Sequence, residues 1–198
     1  MIKKVHIQNF RSFKNVTIEL GRNNVFVGPN MSGKSNFLDF FKFFRDLLVP
    51  STGIMPGIQT ALNPRYGFQR VAWSGGEENP VIRFVLEGET VQNKQLCDWR
   101  YELELLGNQW GGAEILNENF VVKQGGESRA IVESKGQQRN ILGPRGQITQ
   151  ISDTSKLGIG YEFPNWEWGF LRRSVFSWRF YSLLPPLMRE QNPTAATD

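Results

Sequence analysis

Gly28, Gly33, Lys34 and Ser35 stand at the spacing G-x-x-x-x-G-K-S within the run Gly28-Pro29-Asn30-Met31-Ser32-Gly33-Lys34-Ser35. Each residue type has a task in holding a polyphosphate. The two glycines permit backbone angles and close approach that a Cβ would block. Successive N–H groups can then point inward as a nest for a β-phosphate, and a helix opening near Gly33 adds the positive end of its dipole. The Lys34 ammonium is placed to reach β- and γ-phosphates, and the Ser35 hydroxyl to ligate Mg²⁺. The chemistry is neutralisation of a nucleoside triphosphate's charge. The bland alternative is a Gly-rich strand-to-helix turn carrying an incidental Lys-Ser.

Context separates the two, because the motif needs a buried strand before it and a helix after it. Val25-Phe26-Val27 is a short unbroken apolar run, which predicts a strand buried on both faces. A helix is expected from Lys34 to Leu48. Its polar residues Ser35, Asp39, Lys42 and Asp46 recur at helical spacing, and most of the remaining circumference is Phe or Leu, which predicts packing on several sides. Pro50 ends it. Upstream, Val5, Ile7 and Phe10 suggest a first strand, and Val16, Ile18 and Leu20 a second, with polar turns at Asn9–Lys14 and Gly21–Asn24. Residues 51–67 read as a long irregular connection. Strands are expected at Gln69–Trp73, Val81–Leu86, Trp99–Leu106, Ala113–Lys123, Arg129–Glu133 and Arg139–Leu142, as a meander of hairpins. Residues 143–160 read as loop, Val175–Leu184 as strand or helix broken by Pro185-Pro186, and Gln191–Asp198 as unstructured.

Composition narrows the function classes. Apolar residues make up 39% of 198, and the net charge of +4 permits nucleic-acid contact without demanding it. The single cysteine, Cys97, rules out an intrachain disulfide and a Cys-rich zinc site, and the lone histidine, His6, has no partner for a metal site. The apolar run Phe37–Pro50 is too short and too interrupted by charge to span a bilayer, and no leader pattern opens the chain. A soluble, cytoplasmic protein without a membrane partner is expected.

The opening Ile7-Gln8-Asn9-Phe10-Arg11-Ser12-Phe13, a second strand, and then Val-Gly-Pro-Asn-x-Ser-Gly-Lys-Ser resemble the N-terminus of the SMC/RecF/OLD group of ABC-type ATPase heads. Within that group the chain looks most like the stand-alone bacterial "AAA family" ATPases. The resemblance is sharp over residues 1–48, looser over 68–88 and near Phe176–Leu184, and weak between. It implies an α/β fold: the N-terminal lobe of a P-loop NTPase with an attached antiparallel β-hairpin region. It divides the chain into a phosphate-loop unit (1–50), a connecting loop (51–67), a β-rich region (68–142) and a loop-rich remainder (143–198). It implies ATP as the nucleotide, with Mg²⁺ on Ser35. It places Asn30 near the γ-phosphate, Arg11 over the phosphates, and Pro29, Met31, Ser32 and Asn36 around them. Met31 stands where the family often has Gly. Asp39 is expected on the helix face, not as a ligand.

The resemblance also implies a Walker B strand ending in Asp and Glu. The nearest runs, Phe84-Val85-Leu86-Glu87 and Ala130-Ile131-Val132-Glu133, lack the Asp. Ser74-Gly75-Gly76-Glu77 resembles the core of an ABC signature, but Pro80 and a strand follow where a helix should, so a hairpin turn is expected. The chain is therefore expected to be an incomplete lobe, completed by a C-terminal half or acting in a head-to-head homodimer around ATP, with DNA as a further partner. Two other readings stay open. One is a small-molecule kinase or other P-loop phosphotransferase, against which the two strands before the loop count. The other is a nucleic-acid-binding module using Arg172, Arg173, Arg179 and Arg189 among Trp166, Trp168, Phe170, Trp178 and Tyr181. The preferred reading of that last group is core aromatics with snorkelling arginines.

Overall fold

A computed structural model of the chain describes residues 1–48, 57–75, 80–92, 94–135 and 138–181. Alternation of apolar and polar residues builds one large sheet. Strands β1 (Ile2–Phe10), β2 (Phe13–Glu19), β3 (Val81–Gln92), β4 (Gln95–Gly107), β5 (Ala113–Gln124), β6 (Glu127–Lys135), β7 (Gln138–Leu142) and β8 (Ile148–Ile151) lie in the order β2-β1-β3-β4-β5-β6-β7-β8. Every pairing is antiparallel. β1 runs along β3 with Ile7 opposite Phe84, so the hairpins continue directly from the first two strands.

The helices cover one face. In α1 (Lys34–Leu47) the buried residues Phe37, Phe40, Phe43, Phe44 and Leu47 recur at three- and four-residue steps, which makes one apolar stripe. That stripe meets the inward side chains of β1, β3 and β4. Ring centroids are 5.4 Å apart for Phe10–Phe43, 5.0 Å for Phe40–Phe84 and 5.5 Å for Phe44–Tyr101. A second flank of the helix is covered too, since Phe41 packs on Trp178 at 5.2 Å. The short α2 (Gly57–Leu62) lies against α1, followed by α3 (Phe68–Val71). Near the other end α4 (Phe170–Ser177) sets Phe170 against Trp99 and Phe120.

The opposite face carries charge in cross-strand rows. Lys4 and Arg100 both pair with Glu87, Arg100 and Arg83 with Glu102, and Arg83 with Glu104. His6 sits among these cations, and its pKa is held below the usual imidazole value by partial burial and then by Arg83, Arg100 and Lys4.

Several expectations are corrected. Gln69–Trp73 is not a strand: Phe68 and Val71, three apart, are both buried as one turn of helix, and only Ala72 returns to extended backbone, bridging Phe10. The irregular connection contains α2, because Ile58, Ala61 and Leu62 share one buried helical face. The 143–160 loop contains β8, which completes the ladder of β7. Of the Val175–Leu184 run, residues 175–177 close the helix Phe170–Ser177, while 178–181 have neither helix nor strand. Residues 182–184, the Pro185-Pro186 break, Pro50 and the Gln191–Asp198 tail lie outside the described residues, as do 76–79 of the signature-like turn; Ser74 and Gly75 form a turn.

One polar cluster lies inside the core. A register shift between Glu104 and Leu105 resets the phase of β5 and turns Glu118 inward beside Phe120. Its carboxylate is fully buried and takes bonds from Arg139 Nη1 (2.6 Å), the Tyr101 hydroxyl (3.0 Å) and the N–H groups of Gly158 (2.6 Å) and Ile159 (3.1 Å). Burial, with the Glu118 charge beside it, pushes the Tyr101 phenol well above its ordinary pKa, so it remains a donor. Arg139 also donates to the carbonyls of Lys156 and Asp153, so the cluster clamps residues 153–159 onto the sheet. Arg139→Leu leaves the Glu118 charge buried without its cation. It is expected to lower unfolding stability by about 3 kcal/mol, read as a drop in the urea midpoint at unchanged slope.

Candidate functional site

The glycine loop leads into α1 as its sequence requires. Gly33 is the residue before the helix and lies in the left-handed region at φ 93°. A Cβ there would come within 3.1 Å of the Phe13 ring and 3.4 Å of Ser12 Oγ. The loop thus presses its backbone onto the β1–β2 turn, and only glycine meets both the angle and the approach. The first helical hydrogen bond runs from the Phe37 N–H to the Gly33 carbonyl at 2.9 Å, and no side chain caps the helix. The N–H groups of its first turn, Lys34 to Asn36, therefore have no intrahelical acceptor.

Lys34 closes the loop on itself. Its Nζ donates to the carbonyls of Gly28 and Pro29, both at 2.7 Å, and to Ser32 Oγ at 3.0 Å. Gly28 to Ser32 are exposed, Met31 fully and at φ 67°, and Ser35 is exposed on the first helical turn. Asn36 Nδ2 donates to Ser12 Oγ at 2.8 Å, a second tie between helix start and β1–β2 turn. The arrangement gathers free amides, one ammonium and a serine hydroxyl on one exposed rim, which suits an oxyanion and a hard cation.

Two expectations fail locally. Val25-Phe26-Val27 is not a buried strand: it has no strand assignment, and Val25 and Val27 are each 87% exposed. A strand is made by its neighbours, and no ladder among the described residues reaches this run. Only Phe26 finds a partner, packing on Phe37 at 5.0 Å. Arg11, expected over the phosphates, is instead turned onto α1. Its Nε and Nη2 donate to Asp39 Oδ2 at 3.0 and 2.9 Å, and its Nη1 to the Arg70 carbonyl at 2.8 Å.

Asp39 is the residue that sequence reasoning undervalued. Its other oxygen accepts from Arg65 Nε at 3.0 Å and Nη2 at 2.9 Å. Arg65 is buried, lies over the Phe43 ring and also donates to Asp46 and the Ala61 carbonyl. One carboxylate on α1 thus brackets the β1–β2 turn and the turn after α2. Arg65 stands 26 residues from Asp39, and no local pattern signals the pairing.

The remaining candidates are structural. Glu87 pairs with Arg100 and Lys4, and Glu133 with Lys135. Trp166 and Trp168 are buried, with Trp166 Nε1 donating to the Leu142 carbonyl at 2.8 Å. Arg172 lies over Phe176 and pairs with Glu162, and Arg173 donates to the Trp166 carbonyl. Trp166, Trp168, Phe170 and Trp178 pack in or against the core, whereas Arg179 and Tyr181 of the same group are exposed, and Arg189 lies outside the described residues. Among the described residues no group of His, Cys, Asp and Glu could hold a metal, and no helix is long and apolar enough to cross a membrane.

Residues 1–90 match a protein-family model described as the AAA ATPase domain. The matched span runs from β1 through the glycine loop, α1 and the Asp39 bracket into β3. It supports an AAA-type ATPase N-terminal region, with an ATP-binding ATPase-type function.

Asp39→Ala leaves Arg65 buried beside its lost acceptor and frees Arg11. A loss of about 3 kcal/mol in thermal or denaturant unfolding is expected, whereas Lys42→Ala, on the same helix but exposed, changes stability by less than about 0.5 kcal/mol.

Proposed function

We propose that Gly28–Ser35 holds the phosphates of Mg-ATP and that this chain is the nucleotide-binding lobe of an SMC/RecF/OLD-like ATPase. The observation that carries the reading is the opening of α1 at Lys34, immediately behind a left-handed Gly33, with its first-turn amides uncapped. The chain's groups fit the ligand. In the left-handed bend at Gly33 there is backbone where a side chain would otherwise stand, and the loop amides and the Lys34 ammonium supply donors for phosphate oxygens. Lys34 already spans the loop from inside, so phosphate oxygens take the place of the Gly28 and Pro29 carbonyls as its acceptors. The Ser35 hydroxyl would hold Mg²⁺, which would supply neutralisation of phosphate charge. Asn30 and Met31 lie along the exposed rim, where Asn30 can approach the terminal phosphate.

Turnover needs a group that orients or deprotonates water. Glu87 and Glu133, which end the two runs nearest to a Walker B strand, are held in ion pairs on the sheet. The reading is therefore that this chain binds nucleotide and hydrolyses it slowly alone, and that a further set of residues, from a C-terminal half or a second head, completes the catalytic site. DNA association belongs to the same reading.

Lys34→Ala is expected to weaken binding of a fluorescent ATP analogue about tenfold to a hundredfold, the loss of one charge-assisted contact set, with an unchanged far-ultraviolet circular dichroism spectrum. Equal affinity for the variant and the wild type would remove the phosphate loop from the binding site.

A further inference from the structure

Three large aromatic side chains among the described residues stand almost free of the protein, Tyr66 at 89% exposed, Trp110 at 85% and Tyr181 at 83%, and the first two lie on neighbouring turns. Neither of these two belongs to a frayed segment. Tyr66 caps the 3₁₀ turn Asn63–Arg65 in the left-handed conformation, φ 63°, with its N–H bonded to the Asn63 carbonyl at 3.2 Å. A bulky residue in that conformation costs about 1 kcal/mol or more. Trp110 sits at the tip between β4 and β5, where Asn108 Oδ1 accepts the N–H groups of Trp110 and Gly112 at 3.0 and 2.9 Å. The two tips touch. The Phe68 N–H donates to the Gly111 carbonyl at 2.8 Å, and a Cβ on Gly67 (φ 91°) would come within 3.0 Å of that same oxygen. Tyr66 and Trp110 are thus each one residue from a rigid backbone junction, and both rings face solvent beside it.

Next to Tyr66 opens a cavity of about 530 Å³ lined by Arg11, Pro64, Arg65, Tyr66 and Arg70. Asp39 balances Arg11 and Arg65 in part, and Asp46 shares Arg65. Arg70 is exposed and forms no ion pair among the described residues. The cavity therefore carries a net cationic wall with an aromatic ring at its edge and a second ring across the junction.

We propose that this face binds single-stranded nucleic acid, with bases stacked on Tyr66 and Trp110 and backbone phosphates held at the arginine-lined cavity, chiefly by Arg70. Planar rings presented beside unpaired guanidinium are the combination by which single strands are gripped without reading their sequence. An acidic protein segment would satisfy the arginines and leave both rings without a stacking partner. The proposal gives a surface to the DNA association of the proposed function and rests on that part of it; it uses neither Lys34 nor the glycine loop, so its failure leaves the phosphate-loop reading standing.

The test is fluorescence anisotropy of a labelled oligothymidine of about a dozen nucleotides, matched to the footprint of one single-strand-binding module, with the full chain over a salt series. Saturable binding that weakens with salt is expected. Tyr66→Ala and Trp110→Ala, both exposed and so tolerated by the fold, should each lower affinity about tenfold. Arg70→Ala should reduce the salt slope by about one. Lys34→Ala should bind as the wild type does. Absence of saturable binding at low salt overturns the proposal, as does wild-type affinity in both aromatic variants. Loss of binding in Lys34→Ala overturns it by placing the strand in the phosphate loop. Competition by poly-glutamate as effective, charge for charge, as unlabelled oligothymidine overturns it in favour of an acidic protein partner.

Discussion

The contact on which the rest depends is the seat of α1 on the sheet. Phe10, at the end of β1, touches Phe40, Phe43 and Phe84 with ring centroids 6.2, 5.4 and 5.4 Å away. Full burial of each such ring is worth about 2 kcal/mol, with edge-on aromatic geometry adding to it. The seat does more than stabilise. Ser12 and Phe13, the residues against which Gly33 presses, follow Phe10 within one tight turn. The same few residues that anchor the helix in the core also form the wall that shapes the loop at its N-terminus. A shift of α1 along the sheet would move the Gly33 backbone off that wall, so the aim of the loop amides is set by core packing and not by the loop itself.

The Asp39 bracket fixes what the aromatic seat leaves free. Rings tolerate some rotation of a helix about its axis, but a carboxylate gripped from both sides does not. Arg11 holds one oxygen and Arg65 the other, and both guanidinium groups find further acceptors at the Arg70 and Ala61 carbonyls. That fuller satisfaction offsets the desolvation of a largely buried Arg65, which an isolated pair would not do. It has a consequence for the phosphate loop. With Arg11 engaged on α1, its charge is drawn away from the loop rim, where Lys34 and the helix amides stand.

How much of this was legible follows from what each element needs. The helix Lys34–Leu47 and the strands from Val81 to Leu142 announce themselves, because their periods of 3.6 and 2 are written in side chains whose burial repeats over many residues. The short helices α2 and α3 do not, since four to six residues contain too little period to tell helix from strand. Val25–Val27 shows the limit differently. An apolar run records a tendency to be covered, but a strand also needs a neighbour to share hydrogen bonds, and composition does not name one. Glu118 was illegible for a third reason: the bulge that turns it inward is a relation between β4 and β5, absent from either strand alone. The glycine loop was readable by residue type and spacing, whereas its buttress of Ser12 and Phe13 and the Asp39–Arg65 tie depend on the folded chain bringing distant residues together.

Charge is distributed in a way that the net value conceals. On the sheet face away from the helices, Lys4, Arg83 and Arg100 alternate with Glu87, Glu102 and Glu104 in rows that neutralise one another across strands. Opposite charges at cross-strand spacing attract locally and cancel at a distance, so this broad surface projects little field despite its many ions. The excess of cations that gives the chain its +4 must act elsewhere. Two cations without an ion pair among the described residues stand on the helical side, Lys34 at the loop rim and Arg70 at the cavity beside Tyr66, where Asp39 is shared between two arginines; Lys14, Arg22, Lys94 and Arg145 are further such cations. An anion that reaches Lys34 or Arg70 meets a cation not already engaged by a carboxylate among the described residues, whereas Lys4, Arg83 and Arg100 on the flat face of the sheet are each held by a glutamate.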